Sequence, residues 1–197
     1  MKLQNKNLVM DVELTKFIQV YENVLESNTC KELIELYENN QYYHIKYENS
    51  GYPNFTELNL SENAKVKKTN KKEKVCNILV DKIVEYRNKY YEYIDSPFLP
   101  SEHDLEDFRI KKYKPDGEDY FDTHVDAHNL DTCSRYISFL FYLNDVDCGG
   151  ETEFVGLTIK PEIGKLVIFP PLWMFPHRGN PPISGPKYIL SSYLHYV

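Results

Sequence analysis

"SRYISFLFYLN", residues 134–144, decides the fold. It is rich in aromatic and β-branched residues, it has the length of a strand rather than a helix, and it closes on Asn144. Five further runs from about residue 106 onward share its period of two: "EDFRIKKY" (106–113), "YFDTHVDAH" (120–128), "TEFVGLTIKP" (152–161), "GKLVIFP" (164–170) and "KYILSSYLHYV" (187–197). Gly, Pro, Asn and Asp clusters separate them. Short strands with such punctuation predict an antiparallel sandwich or barrel-like fold.

Upstream the pattern changes. "FIQVYENVLESNTCKELIELYENN" (17–40) opens with a short strand and continues into a helix with Leu33, Ile34 and Leu36 on one stripe, for which Ser27, Asn28 or Thr29 supplies the N-cap. A second helix is expected over about 70–92, where Val75, Ile78, Leu79, Ile83 and Tyr86 recur at helical spacing and "DSPFLPS" (95–101) ends it. Between them, residues 42–68 carry no sustained period and contain Gly51 and Pro53, which predicts a long loop with at most a short strand. The organisation is thus one domain over 1–197, with a strand and support helices in 1–105 and a β core in 106–197.

The bulk numbers agree with a folded chain and exclude some functions. The 197 residues suit a single core, and 42% hydrophobic content with 8 Gly and 11 Pro is globular. The 17 tyrosines fit a lined groove, although composition alone also explains them. A net charge of −7 argues against a general polyanion binder, since nucleic acid demands surplus cations on one face. The basic run "KVKKTNKKEK" (65–74) reads as a solvated loop or helix start. Cys30, Cys76, Cys133 and Cys148 show no metal-binding spacing and read as ordinary intracellular thiols. "MKLQNKNLVMDVEL" (1–14) lacks the apolar centre of a signal peptide and no run is long enough to span a membrane, so a soluble cytoplasmic protein is expected.

Within the β core, His124, Asp126 and His128 stand at every second position and would share one face of an extended strand. Two histidines and a carboxylate on one side of a metal leave coordination positions open, the arrangement that suits non-haem Fe(II) working with oxygen. His124 and Asp126 supply two ligands from one strand; the candidates for the third are His128, His177 and His195, with His44 and His103 too near the helical half. His177 is favoured, because in "FPPLWMFPHRGN" (169–180) it follows an apolar strand and begins a Pro/Gly turn. "RGNPPISG" (178–185) has the composition of a hairpin turn, which predicts that His177 and Lys187 occupy neighbouring strands. Lys187 opens an otherwise apolar strand and is costly there unless it meets an anion.

These features resemble the Fe(II)- and 2-oxoglutarate-dependent dioxygenases, in particular their prolyl 4-hydroxylase branch. The resemblance rests on "RIKKYKPDGEDYFDTHVD" (109–126), "RYISFLFYLNDVDCGGETEF" (135–154), "IKPEIGKLVIFP" (159–170), "HRGNPPISGPKYILSSYLHY" (177–196) and, more faintly, "VYENVLESNTCKELIELYE" (20–38). It implies an α+β fold, a double-stranded β-helix (jelly-roll) core with N-terminal flanking helices. It also implies Fe(II) on His124, Asp126 and His177, the far carboxylate of 2-oxoglutarate on Lys187 and Tyr142, Tyr113 facing co-substrate and substrate, and Thr152 lining the pocket. Two positions depart from the family's habit: Phe121 stands where a tyrosine is frequent, and Tyr193 where a tryptophan is frequent. Both bear on the substrate side. His128 falls one strand step, about 6.6 to 7 Å, beyond Asp126, and is expected at the rim; Arg135 and Arg178 are expected at the surface or behind the site.

The implied reaction consumes O2 and 2-oxoglutarate, releases succinate and CO2, and hydroxylates a C–H bond, with ascorbate as a further cofactor of the branch. The favoured substrate is a prolyl residue in a peptide or protein, with residues 42–68, which include Tyr42, Tyr43, Tyr47, Tyr52 and Phe55, ordering over it. The alternatives are a free amino-acid hydroxylase, a nucleic-acid demethylase, which would carry paired arginines on the last strand, and a non-catalytic β-barrel binding module, which leaves the triad unexplained.

Overall fold

The computed structural model describes residues 13–49, 52–62, 69–115 and 117–197. In chain order its strands and helices are β1 (Gln19–Tyr21), α1 (Ser27–Glu38), β2 (Ile45–Asn49), β3 (Tyr52–Asn59), α2 (Asn70–Ile94), β4 (Asp104–Leu105), β5 (Arg109–Tyr113), β6 (Phe121–His124), β7 (Arg135–Tyr142), β8 (Thr152–Phe154), β9 (Leu157–Ile159), β10 (Leu166–Phe169), β11 (His177–Gly179) and β12 (Lys187–His195). Among the described residues they form two antiparallel sheets. The larger has the order β1-β10-β7-β12-β5-β3-β2 with β4 on β12, and the smaller β6-β11-β8-β9. Packed face to face, they make a double-stranded β-helix, with α1 and α2 on the outer face of the larger sheet.

The residues of 134–144 account for this layering. On β7, Ile137, Phe139 and Phe141 belong to the core shared with the helices, whereas Leu140 and Tyr142 belong to the core between the sheets. β10 divides likewise, with Leu166 and Ile168 toward the helices and Val167 and Phe169 between the sheets. A strand covered on both faces is apolar in both phases of its period. Leu33 and Leu36 of α1 and Val75, Leu79 and Ile83 of α2 supply the covering layer. Gly164 holds the connection from β1 to α1, accepting from the Val24 and Leu25 amides at 2.7 and 3.2 Å: its φ of +79° and a backbone that leaves a Cβ only 2.3 Å from the Leu25 carbonyl oxygen demand glycine.

Several local expectations are corrected. Residues 42–68 are not a long loop: Gln41–Tyr43 make a 3₁₀ turn, and β2 and β3 form a hairpin that pairs with β5 and widens the larger sheet. Phe55 and Glu57 point to one side and Leu58 to the other, a period of two that Gly51 and Pro53 obscured. Positions 50–51 and 63–68 of that segment lie outside the described residues, as does the N-terminal stretch 1–12. α1 begins at Ser27 behind Glu26, which makes no side-chain cap; Asn28 bonds Glu32 instead. α2 is capped by Thr69, whose hydroxyl accepts from the Lys72 amide at 3.1 Å, and runs to Ile94 before Asp95 turns left-handed. The described part of the basic run is this helix start, and its Lys71 and Lys74 pair with Glu35 and Glu32 of α1. "TEFVGLTIKP" holds two strands joined at Gly156, whose φ is +80°. The larger sheet draws strands from both sides of residue 105. No helix among the described residues is long and apolar enough to cross a membrane.

Candidate metal centre

β6 and β11 are paired neighbours in the smaller sheet, and their register sets His124 opposite His177. Asp126 lies two residues past the end of β6, so it reaches the same point from a bend and not from the strand expected to carry both ligands. The ligand atoms of these three residues all lie within 4.8 Å of one another, and they are the one such cluster of His, Cys, Asp or Glu among the described residues. His124 Nε2 is 3.5 Å and His177 Nε2 is 3.8 Å from the two Asp126 carboxylate oxygens.

The other ring nitrogens are tied down. His124 Nδ1 donates to the Asp122 carbonyl at 2.7 Å and His177 Nδ1 to the Phe175 carbonyl at 3.1 Å. A carbonyl only accepts, so the protons sit on Nδ1 and both Nε2 lone pairs face the cluster, as in metal-bound histidines held from behind. Phe121 stacks on His124 with centroids 3.4 Å apart, and Phe154 and Phe169 flank His177. Burial pushes His177 down to about 4, leaving the ring neutral near neutrality. Burial alone would raise the Asp126 carboxyl, but the two imidazoles beside it hold it below the usual carboxylate range. Two imidazole nitrogens and one carboxylate converging on one point fit a divalent cation, and the N,N,O donor set fits Fe(II).

A chamber beside the cluster is walled by Tyr113, Thr152, Gly179, Ser191 and Tyr193, and Lys111 reaches into it. Tyr142 stands one layer behind and donates its hydroxyl to Thr152 Oγ1 at 2.6 Å. Lys187 is 1% exposed and its Nζ lies over the rings of Tyr113 and Tyr142 at 5.1 and 5.8 Å. It forms no ion pair among the described residues, and burial, offset in part by Glu151, lowers its ammonium to about 7. The cost expected of a lysine in this strand is thus present in the fold, and a carboxylate in the chamber would offset it. His177 and Lys187 do not form the expected hairpin: residues 180–186 carry the chain from β11 in the smaller sheet to β12 in the larger.

Outside the chamber a groove of about 690 Å³ opens, with Tyr47, Pro53 and Phe55 of the hairpin on one side and Thr123, Val125 and His128 on the other. His128 lies on the loop after β6, so strand alternation never applied to it, yet it sits at the rim as expected. Of the aromatics expected over the substrate, Tyr47 and Phe55 of the hairpin line the groove, Tyr42 in the 3₁₀ turn is 92% exposed, Tyr43 packs against the helical core, and the Tyr52 side chain lies outside the described residues. Arg135 is more than a surface group: its guanidinium bonds the Asp126 carbonyl at 2.9 Å, covers the Tyr193 ring at 4.0 Å and pairs with Glu106 at 2.6 Å. Sequence reasoning passed over Glu106, and its only signal was a carboxylate in a strand-rich segment. Arg178 pairs with Glu153 at the surface. His195 bonds Glu106 and Ser134, His44 stacks on Tyr37 and His103 meets Arg87, so none is available to the cluster.

Residues 108–195 match the model of the 2OG-Fe(II) oxygenase superfamily. A probable prolyl 4-hydroxylase 3 of Arabidopsis thaliana is 28% identical over 146 residues, 58% of this chain and 50% of the relative, so the chain spans about half the length of the curated relative it matches. A viral collagen prolyl hydroxylase of Paramecium Bursaria Chlorella virus-1, solved with 2OG, superposes at a TM-score of 0.68 with 20% identity, covering 92% of this chain and 97% of that one. A prolyl-4-hydroxylase of Pseudomonas putida gives 0.71 and 17%, covering 92% and 93%. A prolyl hydroxylase of Trichoplax adhaerens, in complex with a hypoxia inducible factor oxygen degradation domain peptide fragment, gives 0.69 and 15%, covering 92% and 84%. At these identities the solved structures establish a shared fold.

Proposed function

We propose, from a β core that carries the pattern of the 2OG-Fe(II) oxygenase superfamily over residues 108–195, that this protein hydroxylates a prolyl residue within a peptide or protein. The observation that carries the reading is the cluster of His124, Asp126 and His177, with both Nδ1 atoms tied to carbonyls and both Nε2 atoms turned to one point at the floor of an open groove. Fe(II) held there would couple O2 and 2-oxoglutarate to C–H hydroxylation, with succinate and CO2 as co-products.

The chain's own residues have separable tasks. Lys187 neutralises the far carboxylate of 2-oxoglutarate from behind Tyr113, and the Tyr142 hydroxyl, relayed through Thr152, orients that end of the chamber. Phe121, Phe154 and Phe169 keep water from the imidazoles, which strengthens every electrostatic contact inside. Tyr47, Pro53 and Phe55 offer an apolar wall to an extended, proline-containing strand that loses little entropy on docking. The wall is already part of the larger sheet, so it holds the peptide as a fixed surface and not as a loop that orders on binding.

The test is turnover with Fe(II), 2-oxoglutarate and ascorbate against proline-containing peptides, free amino acids and methylated DNA. Succinate release matched by the gain of one oxygen on a peptidyl proline, read by mass spectrometry, supports the proposal. Turnover confined to free amino acids or alkylated bases overturns the peptide reading and leaves the iron chemistry. Absence of succinate with every substrate returns the protein to the class of binding modules.

A further inference from the structure

The groove wall above the metal cluster has a chemistry that an apolar proline ring does not use. On β5, Arg109, Lys111 and Tyr113 alternate inward, and on β12 Ser191 and Tyr193 do the same. The register sets Ile189 opposite Lys111 and Ser191 opposite Arg109, so Lys111 and Ser191 are diagonal neighbours on one face. Both line the chamber and the groove.

The other cations of the groove are occupied. Arg109 pairs with Glu57 at 3.7 Å and with Glu106, and Arg135 pairs with Glu106. Lys111 forms no ion pair among the described residues; its Nζ rests over the Phe55 ring at 5.3 Å. Beside it Ser191 is 3% exposed and its buried hydroxyl has no hydrogen-bond partner among the described residues. The Lys111 ammonium feels the Asp126 carboxylate only at a distance, with no ion-pair contact, and a half-buried ammonium without a close anion and a buried hydroxyl without a partner each cost free energy; here they share one patch of wall. Of the three groove cations, Arg109 and Arg135 are held by Glu57 and Glu106, and Lys111 alone has no carboxylate in ion-pair contact among the described residues.

We propose that Lys111 and Ser191 form a carboxylate-binding subsite for the prime substrate, so that the protein selects prolyl substrates with a carboxylate close to the reacting ring. The inference rests on the hydroxylase reading above and names the substrate class of the same site. Two sources present the same pair of oxygens: an acidic side chain next to the proline, and the terminal carboxylate of a peptide that ends at the proline. Lys111 supplies the charge and one or two N–H donors, and Ser191 supplies an O–H donor that finds no acceptor in the protein itself.

Four labelled peptides with one proline core test it: Asp or Asn beside the proline, and a free acid or an amide at a terminal proline. Binding to the metal-free protein is read by fluorescence anisotropy, and hydroxylation of the same peptides by mass spectrometry. The charged member of one pair should bind at least about tenfold tighter, and which pair responds identifies the source. K111M, which keeps the aliphatic stem, should erase that difference; K111R should keep most of it, and S191A should weaken only the charged peptide. Thermal melts confirm that each variant is folded. Indifference to charge in both pairs, or a preference that survives in K111M, overturns the proposal. A raised KM for 2-oxoglutarate in K111M with the peptide preference intact assigns Lys111 to the co-substrate and also overturns it. If the wild-type protein makes no succinate with any of the four, the hydroxylase reading fails, whereas equal hydroxylation of all four leaves that reading standing and removes the subsite.

Discussion

Two ring nitrogens decide what the cluster can hold. Because Nδ1 of His124 and of His177 is spent on a backbone carbonyl, each imidazole has one lone pair to offer, and both point at Asp126. His124→Ala or His177→Ala should therefore weaken Co(II) or Mn(II) binding by more than the roughly 10- to 100-fold that losing an outer-shell partner costs. His128→Ala should leave it unchanged. Metal content after dialysis and the visible spectrum of the Co(II) form decide between them. At the same scale, burial brings Lys187 from 10.5 to about 7. Between those values the unfolded chain holds the proton and the folded chain does not, so unfolding free energy rises with pH across that window; below about 7 both states are protonated and Lys187 adds no slope. The protein free of metal and co-substrate should gain on the order of a few kcal/mol over the window, and Lys187→Met should abolish the gain, as denaturant titrations near its two ends will report. A carboxylate needs the charged lysine, so affinity for 2-oxoglutarate should fall as pH rises past about 7.

At the scale of elements, β7 carries the sandwich because it is buried on both faces. Phe139 is fully buried against the helical layer, and Phe139→Ala should cost about 3–5 kcal/mol of stability. Val155, 79% exposed in the β8–β9 turn, should tolerate alanine within about 0.5 kcal/mol. Thermal or urea unfolding of the two variants compares them directly, and a loss at Phe139 no greater than at Val155 would refute the layering. The hairpin of β2 and β3 teaches a different lesson. Its residues alternate, but the alternation serves a groove on one side and the core on the other, so polar Glu57 and apolar Phe55 share a face and no simple hydrophobic period results.

Across the whole molecule, Glu106 ties three neighbouring strands of the larger sheet together. Arg109 of β5, Arg135 of β7 and His195 of β12 converge on its carboxylate. Burial would raise that carboxyl, but the hydrogen bonds from Arg135 and His195 and the charges of both arginines bring it down from 4.5 to about 2. Its contribution to stability is complete above the higher value and is lost as pH falls through the lower one. Acid titration of the wild-type protein should thus show a drop in unfolding free energy between about pH 4.5 and 2 that is smaller in Glu106→Gln. The same variant should lose about 3 kcal/mol at neutral pH, because the Arg135 guanidinium is left without its carboxylate and Arg109 keeps only Glu57. Arg135 also bonds the Asp126 carbonyl, so the variant should bind metal more weakly although no ligand has changed.

The sequence alone determined the layered β core and its two helices, because strands buried on both faces must be apolar in both phases and amphipathic helices must show one stripe. It also picked out the members of the cluster, since His124, Asp126 and His177 are few and chemically distinctive, and the cost of Lys187, since a charge in an apolar strand must meet an anion or give up its proton. Tertiary structure decided the rest. It ended β6 at His124, so that Asp126 arrives from a bend and His128 from a loop. It turned residues 45–59 into a groove wall by pairing β3 with β5. It joined Glu106 to Arg135 and left Lys111 beside a hydroxyl with no partner. Each of these depends on which strand lies beside which across long stretches of chain, and local propensity carries no record of such distant pairings.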